Sequence, residues 1–327
     1  MKESGIAQAI SLADIKARYD NCAKKLLSYN VIAAWILKYC TKEFSGYDVS
    51  FIANRCINGE PEISTRAVHQ DHIDGDKRIE ELNSESGSIG EGTVYFDIRF
   101  NASVPEDDKL IQLIINLEIQ LKDNPGYPLV KRGFYYCARM ISKQYGTVFT
   151  DERYGDIRKV YSIWICPDTA NKRANGILRY SIGEDVILGN STVTNEDYDL
   201  MNVVIVNLGK KAYESNNVLI NLLGILLSSE MSAKEKKEAL SGNYQIPMTS
   251  ELESEVQIMC NLSDSLVQQG FAQGIKQGEI KERNKFIIKL LKSGAEDDYI
   301  ISMTDCSEEE LQAAKRSLKS MQEMNIF

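Results

Sequence analysis

The chain of 327 residues contains only two histidines, His69 and His72. With no imidazole elsewhere, Ser–His–Asp and Cys–His catalysis lack their base. No Gly-x-Gly-x-x-Gly or P-loop pattern opens a helix after a strand, so nucleotide-dependent chemistry has no seat for its phosphates. Long apolar runs of roughly 18 or more uncharged residues are missing too. The N-terminus, MKESGIAQAISLADIKARYD, has neither a basic n-region nor an unbroken apolar h-region. These absences lead us to expect a soluble, cytoplasmic chain with no membrane partner. Seven scattered cysteines include no CxxC pair, and an odd count argues against a disulfide framework or a zinc ribbon. Positive charge is short as well: the net charge of −9 counts against nucleic-acid binding, which needs clustered Lys and Arg. Locally the balance reverses. Between Glu118 and Tyr145, Lys122, Lys131, Arg132, Arg139 and Lys143 outnumber Glu118 and Asp123.

What is present falls into two halves. Leu26, Leu27, Ile32, Trp35 and Ile36 recur at helical spacing, predicting one or two helices over residues 15–43. Residues 58–92 are polar and rich in Gly, Ser and acids, and read as a surface loop. Within it, His69 and His72 with Asp71, Asp74 and Asp76 make a metal-loop candidate, but a solvated loop fits better because the spacing matches no strong motif. TVYFDIRFNA (93–102), IQLIINLEIQL (111–121), KVYSIWIC (159–166), RYSIGEDVIL (179–188) and DLMNVVIVNL (199–208) read as strands, with a helix over about 131–145 between the second and third. This is an α/β pattern over residues 15–215, followed by a helical region over 216–327. In that region Ser232 with Glu235, Ser250 with Glu253 and Ser307 with Glu310 form capping boxes. A long helix carries Gly270, Gly274 and Gly278 on one face, either as a close-approach stripe for self-association or as a marginal helix. The last segment predicts short helices reminiscent of a helix-turn-helix.

The chemistry lies in the hairpin. Alternation puts Leu113, Ile115, Leu117, Ile119 and Leu121 on one face of the second strand, and Asn116, Glu118 and Gln120 on the other. In the preceding strand Val94, Phe96, Ile98 and Phe100 oppose Tyr95, Asp97 and Arg99. A turn centred between Asp107 and Asp108 sets Asp97 directly across from Glu118. Opposed like charges are destabilising unless compensated, and Mg²⁺ or Mn²⁺ would compensate. Gln120 follows on the same face, placed to orient a water or a phosphate. The plain alternative is a sheet with a solvated second face and two ordinary surface acids.

Asp97, then Glu118-x-Gln120 on a hairpin, then a helix with Arg and Tyr-Tyr, resembles the PD-(D/E)XK nuclease superfamily. More closely, EGTVYFDIRF, LIINLEIQLKDNPGYPLVKRGFYYCARMISKQYG, KVYSIWIC, LLGILLSSEMSAKEKK and MCNLSDSL are similar in order to the PD-(D/E)XK nuclease family transposases, related to the recombination-promoting nucleases. The resemblance implies a restriction-endonuclease-like core, a mixed central sheet flanked by helices, with Asp97 and Glu118 as metal-binding acids. Gln120 stands where the superfamily has Lys, which replaces a positive charge with a dipole. YDNCAKKLL resembles the group's opening D-x-x-F-K, with Asp20 and Lys24 in place and Ala23 where Phe is usual, and implies Asp20 as a further metal acid.

On the helix after the hairpin, Arg132, Tyr136, Arg139 and Lys143 form a polar and basic stripe, with Phe134, Cys137, Ala138 and Ile141 turned inward. Such a stripe suits backbone phosphates, and Gln144 near the helix end is a further candidate. The expectation is a Mg²⁺- or Mn²⁺-dependent DNA endonuclease acting in recombination or transposition, self-associating through its C-terminal helices. The alternative is a degenerate nuclease fold serving as a DNA- or protein-binding module.

Overall fold

The computed structural model describes residues 5–63, 67–68, 94–95, 97–106, 109–121, 124–170 and 172–324. Two N-terminal helices, α1 (Gly5–Leu27) and α2 (Asn30–Cys40), precede the sheet. The strands β1 (Ile57–Ile63), β2 (Ala67–Val68), β3 (Val94–Tyr95), β4 (Ile98–Glu106) and β5 (Lys109–Ile119) follow. Then come α3 (Leu129–Ser142), β6 (Lys159–Cys166), β7 (Gly176–Ser181) and β8 (Met201–Asn207). Six of the strands make one mixed sheet in the order β1-β4-β5-β6-β8-β7, while β2 and β3 pair separately.

The β4–β5 hairpin has the register its sequence implies. Ile98 pairs with Leu117 and Glu106 with Lys109, with Asp107 and Asp108 outside the described residues. From β5 to β6 the chain crosses over through α3 to a parallel neighbour, as a parallel pair requires. β8 is parallel to β6, and β7 returns antiparallel at the edge.

Both faces of the central strands are covered. Leu113, Ile115, Leu117, Tyr161, Ile163, Ile165, Val204 and Val206 are fully buried on one face. On the other, Val160, Trp164, Cys166, Val203 and Ile205 pack with Leu129, Tyr136, Cys137 and Met140 of α3. Helix α1 packs against β5 and α2 against β1. The second face is therefore not solvated, and Asn116 and Glu118 are buried beneath a helix. α3 comes this close because of Gly133, where a Cβ would lie 2.4 Å from Val203 Cγ1.

Two sequence expectations change. Residues 57–63 form a strand, not a loop. The segment INGEPEI hides this with Gly59 and Pro61, tolerated because β1 is an edge strand whose register shifts between Asn58 and Glu62. His69, His72, Asp71, Asp74 and Asp76 lie outside the described residues. The strand expected over 179–188 instead spans Gly176–Ser181, because its partner β8 begins at Met201 and Ser181 already pairs with Asn202.

After the sheet come α4 (Val218–Leu227), α5 (Ala233–Tyr244), α6 (Ser250–Lys292), α7 (Asp297–Thr304) and α8 (Glu308–Met324). Asn217 caps α4, the Ser232–Glu235 capping box opens α5, and Ser307 and Glu310 exchange the same bonds ahead of α8. At the start of α6 the expected Ser250 cap gives way to Thr249, whose Oγ1 accepts from the Leu252 N–H. Helix α6 is continuous through Gly270, Gly274 and Gly278. The chain forms two compact units, Met1–Ser263 and Asp264–Phe327, so α4 and α5 belong with the sheet rather than with a separate C-terminal region. In the second unit Ile287, Ile300, Cys306, Leu311 and Ala314 form a small core. Among the described residues no helix is long and apolar enough to cross a membrane.

Candidate active site

The hairpin register carries one step past its last pair, from Ile98 and Leu117 to Asp97 and Glu118. Asp97 sits in a bend before β4, and its own N–H donates to Glu118 Oε1 at 3.1 Å. In return the Ile119 N–H donates to Asp97 Oδ2 at 3.0 Å. Each acid thus has one oxygen tied to the backbone of the opposite chain segment. Glu118 is 3 % exposed. Burial, and then the Asp97 charge, push its carboxyl well above the usual carboxylate range, to about 8. Near neutral pH the Glu118 carboxyl is therefore largely protonated.

Helix α1 brings a third acid and a cation to the same end. Lys24 Nζ lies 2.6 Å from Asp20 Oδ2 and 2.9 Å from Asp97 Oδ1. Burial pulls the Lys24 pKa down, but its bonds to Asp20 and Asp97 outweigh this and hold the ammonium above its ordinary value. Asp20 and Lys24 stand one helical turn apart, so one face of α1 delivers both.

Gln120 continues the ladder, its N–H donating to the Ile165 carbonyl at 2.9 Å. Its side-chain Oε1 accepts from Arg132 Nη1 at 3.4 Å. Arg132 is fixed on several sides. Nη1 also donates to the Tyr127 hydroxyl at 3.0 Å, and Nη2 and Nε donate to the Tyr136 hydroxyl at 2.8 and 3.2 Å. The guanidinium lies over the Trp164 ring at 5.0 Å and the Tyr136 ring at 5.1 Å. Burial, and next the Glu118 charge, raise the Tyr136 pKa.

The expected helix stripe is rearranged. Tyr136 and Arg139 are buried and Ala138 is exposed, because α3 turns Leu129, Gly133, Cys137 and Met140 to the sheet and leaves the stripe along the flank. Arg139 Nη1 donates to the Tyr135 hydroxyl, and Lys143 is half-buried at the helix end. Gln144 is not at the site. It is buried, Nε2 donates to the Arg158 carbonyl at 2.9 Å, and Oε1 accepts the Arg158 N–H at 2.7 Å. It lies twelve residues beyond Arg132, about 18 Å along the helix axis.

Among the described residues no group of three or more His, Cys, Asp or Glu side chains is placed to hold a metal ion. Asp20 is held apart by Lys24. Two carboxylates remain, Asp97 and Glu118, a donor set that fits Mg²⁺, which usually takes one or two protein acids with water and phosphate oxygens. Asn116, on the Glu118 face, is fully buried and its Oδ1 has no hydrogen-bond partner among the described residues.

Parity within one strand was enough to find Glu118 and Gln120, and it holds Asn116 as well. The ion pairs of Lys24, the Tyr127 contact and the Trp164 ring under Arg132 depend on tertiary approach. A cavity of about 780 Å³, lined among others by Lys42, Glu43, Gln112, Lys159 and Asp199, opens at the other end of β5. There Asp199 accepts from Lys42 and Lys159, each at 2.8 Å, and Lys159 pairs with Glu43. No family model matches the chain, and no curated protein or solved structure matches it significantly.

Proposed function

We propose that the chain is a Mg²⁺-dependent endonuclease that hydrolyses phosphodiester bonds in DNA on a restriction-endonuclease-like core, with a role in recombination or transposition. The observation that carries this reading is the Asp97–Glu118 pair, set across a hairpin, with Glu118 buried and each acid tied to the opposite backbone. Asp97 and Glu118 would hold the ion. A bound Mg²⁺ supplies a water ligand of lowered pKa and stabilises charge on a phosphoryl oxygen.

The chain's own groups do the rest. The Gln120 amide orients a water beside the acids. Arg132 restores the positive charge that Gln120 lacks, and its aromatic clamp holds it in place without a reorganisation cost at the reacting phosphate. Lys24 balances Asp97 and Asp20 and would set a second positive charge near a phosphate held at the acids. On the flank of α3, Lys143 tracks backbone phosphates without reading sequence, while Arg139 is buried and braces the flank through Tyr135.

One observation favours a second reading. Lys24 already neutralises Asp97, so the cluster is stable as an ion-pair network and the fold would serve as a DNA- or protein-binding module. Mn²⁺ titration followed by electron paramagnetic resonance, run beside a supercoiled-plasmid nicking assay at low salt, separates the two. The enzyme binds Mn²⁺ and nicks. A module shows DNA binding with neither.

A further inference from the structure

Strand β7 is the outer strand of the sheet, and its far side pairs with no strand among the described residues. Edge strands are normally blunted by charged side chains, Pro or a bulge. GILRYS has no Pro, no acid and no bulge, Arg179 is its one charge, and its pairing with β8 is unbroken from Gly176–Asn207 to Ser181–Asn202. Leu178 and Tyr180 pair with Ile205 and Val203 on the α3 face of the sheet, yet are 43 % and 38 % exposed. Beyond them Ile182–Thr194 is an arm exposed along its whole length, with Ile187 and Leu188 at 94 % and 96 %. The arm contains Glu184 and Asp185 and no Lys or Arg, so it does not suit a nucleic acid.

We infer that β7 and its arm form a two-fold interface with a second copy of this chain, the two β7 strands pairing antiparallel about Tyr180. This does not depend on the nuclease reading. A two-fold axis perpendicular to the sheet keeps each face on its own side, so opposed residues must share parity. Centred on Arg179, the pairing would oppose two guanidinium groups. Centred on Leu178, it would set Tyr180 against Gly176 and Ile177 against Arg179. Centred on Tyr180, it sets Tyr180 against Tyr180, Leu178 against Ile182 and Arg179 against Ser181, apolar with apolar and no like charges. The same register sets Glu184 against Gly176 and Asp185 against Asn175 of the second copy, so no acid opposes an acid. The Gly176–Thr194 segment also approaches the roughly 20–30 residues that one side of a standard interface contributes.

The full-length chain tests this by size-exclusion chromatography with light scattering. The native cysteines are all buried, so an introduced surface thiol reports alone. The expected mass is twice the chain's 36.8 kDa. Under mild oxidation Tyr180→Cys forms a covalent dimer. Leu178→Cys does so only when Ile182→Cys is present in the same chain. Tyr180→Lys opposes two ammonium groups on the axis and weakens association by about tenfold or more, with an unchanged circular dichroism spectrum. A mass of one chain at every loading concentration overturns the inference. So does a dimer that survives Tyr180→Lys and fails to cross-link through Tyr180→Cys, because its contact then lies on another surface.

Discussion

Asp97 and Glu118 face each other across the β4–β5 hairpin, and each fixes one carboxylate oxygen on a main-chain N–H from the opposite side. This arrangement holds two acids close, with the Lys24 ammonium on Asp97 and the Glu118 carboxyl raised in pKa by burial.

One consequence is a stability profile. Glu118 holds its proton to about 8 in the folded chain, against 4.5 ordinarily. Between those values the folded state binds more protons than the unfolded state, so stability falls as pH rises. The contribution is complete below the unfolded value and is lost as pH passes through the folded one, by up to about 1.4 kcal/mol per pH unit. Glu118→Gln keeps the shape and removes the titration. Urea unfolding across this window should give a flatter profile for Glu118→Gln, crossing above the parent on the alkaline side. Parallel profiles would contradict the assignment.

Gly133 sets the distance between α3 and the sheet. A methyl group there meets Val203 Cγ1 at 2.4 Å, so Gly133→Ala should lift the helix and cost about 1–3 kcal/mol in denaturant unfolding. Because Arg132 is the adjacent residue, the same variant should weaken DNA binding.

Arg132 is expected to act on phosphate through a rigid guanidinium. Arg132→Lys keeps the charge but loses the fork and the stacking on Trp164 and Tyr136. Arg132→Ala should weaken DNA binding about tenfold and reduce the slope of log affinity against log salt by about one. Fluorescence anisotropy across a salt series checks both. An unchanged slope would place Arg132 away from the phosphates.

Lys236 has a structural task. It is fully buried, and its ammonium donates to the Leu226 carbonyl at 3.2 Å and the Ser228 carbonyl at 2.7 Å, ending α4. Lys236→Met should cost roughly 1–3 kcal/mol in urea unfolding by leaving buried carbonyls unpaired. A neutral result would mean that water replaces the ammonium.

The hairpin was legible because two local rules agree. The Asp107–Asp108 turn and the apolar alternation both select the pairing of Ile98 with Leu117, and a slip of one residue would have turned Leu113, Ile115, Leu117 and Ile119 onto the face of Asn116 and Glu118. The solvated second face was a reasonable local reading of Asn116, Glu118 and Gln120, but local pattern cannot show that α3 folds over them. The same limit hid the Lys24 ion pairs, which join residues far apart in the chain, and the fate of Gln144, whose amide is occupied by the Arg158 backbone. Val186, Ile187 and Leu188 looked like strand for their β-branched and apolar character. They have no partner in β8, so the pattern has nothing to bury it.

The central claim is that Asp97 and Glu118 together form the cation-binding reaction centre. Its most direct test is the nicking rate of supercoiled plasmid by the parent chain and by Asp97→Asn, with Mg²⁺ or with chelator, at matched DNA affinity. The account predicts cleavage by the parent that needs the ion, and a loss of about 10²–10³-fold in Asp97→Asn with DNA binding retained. Equal rates in the two proteins, or no ion-dependent cleavage by the parent across a full protein titration, would contradict it.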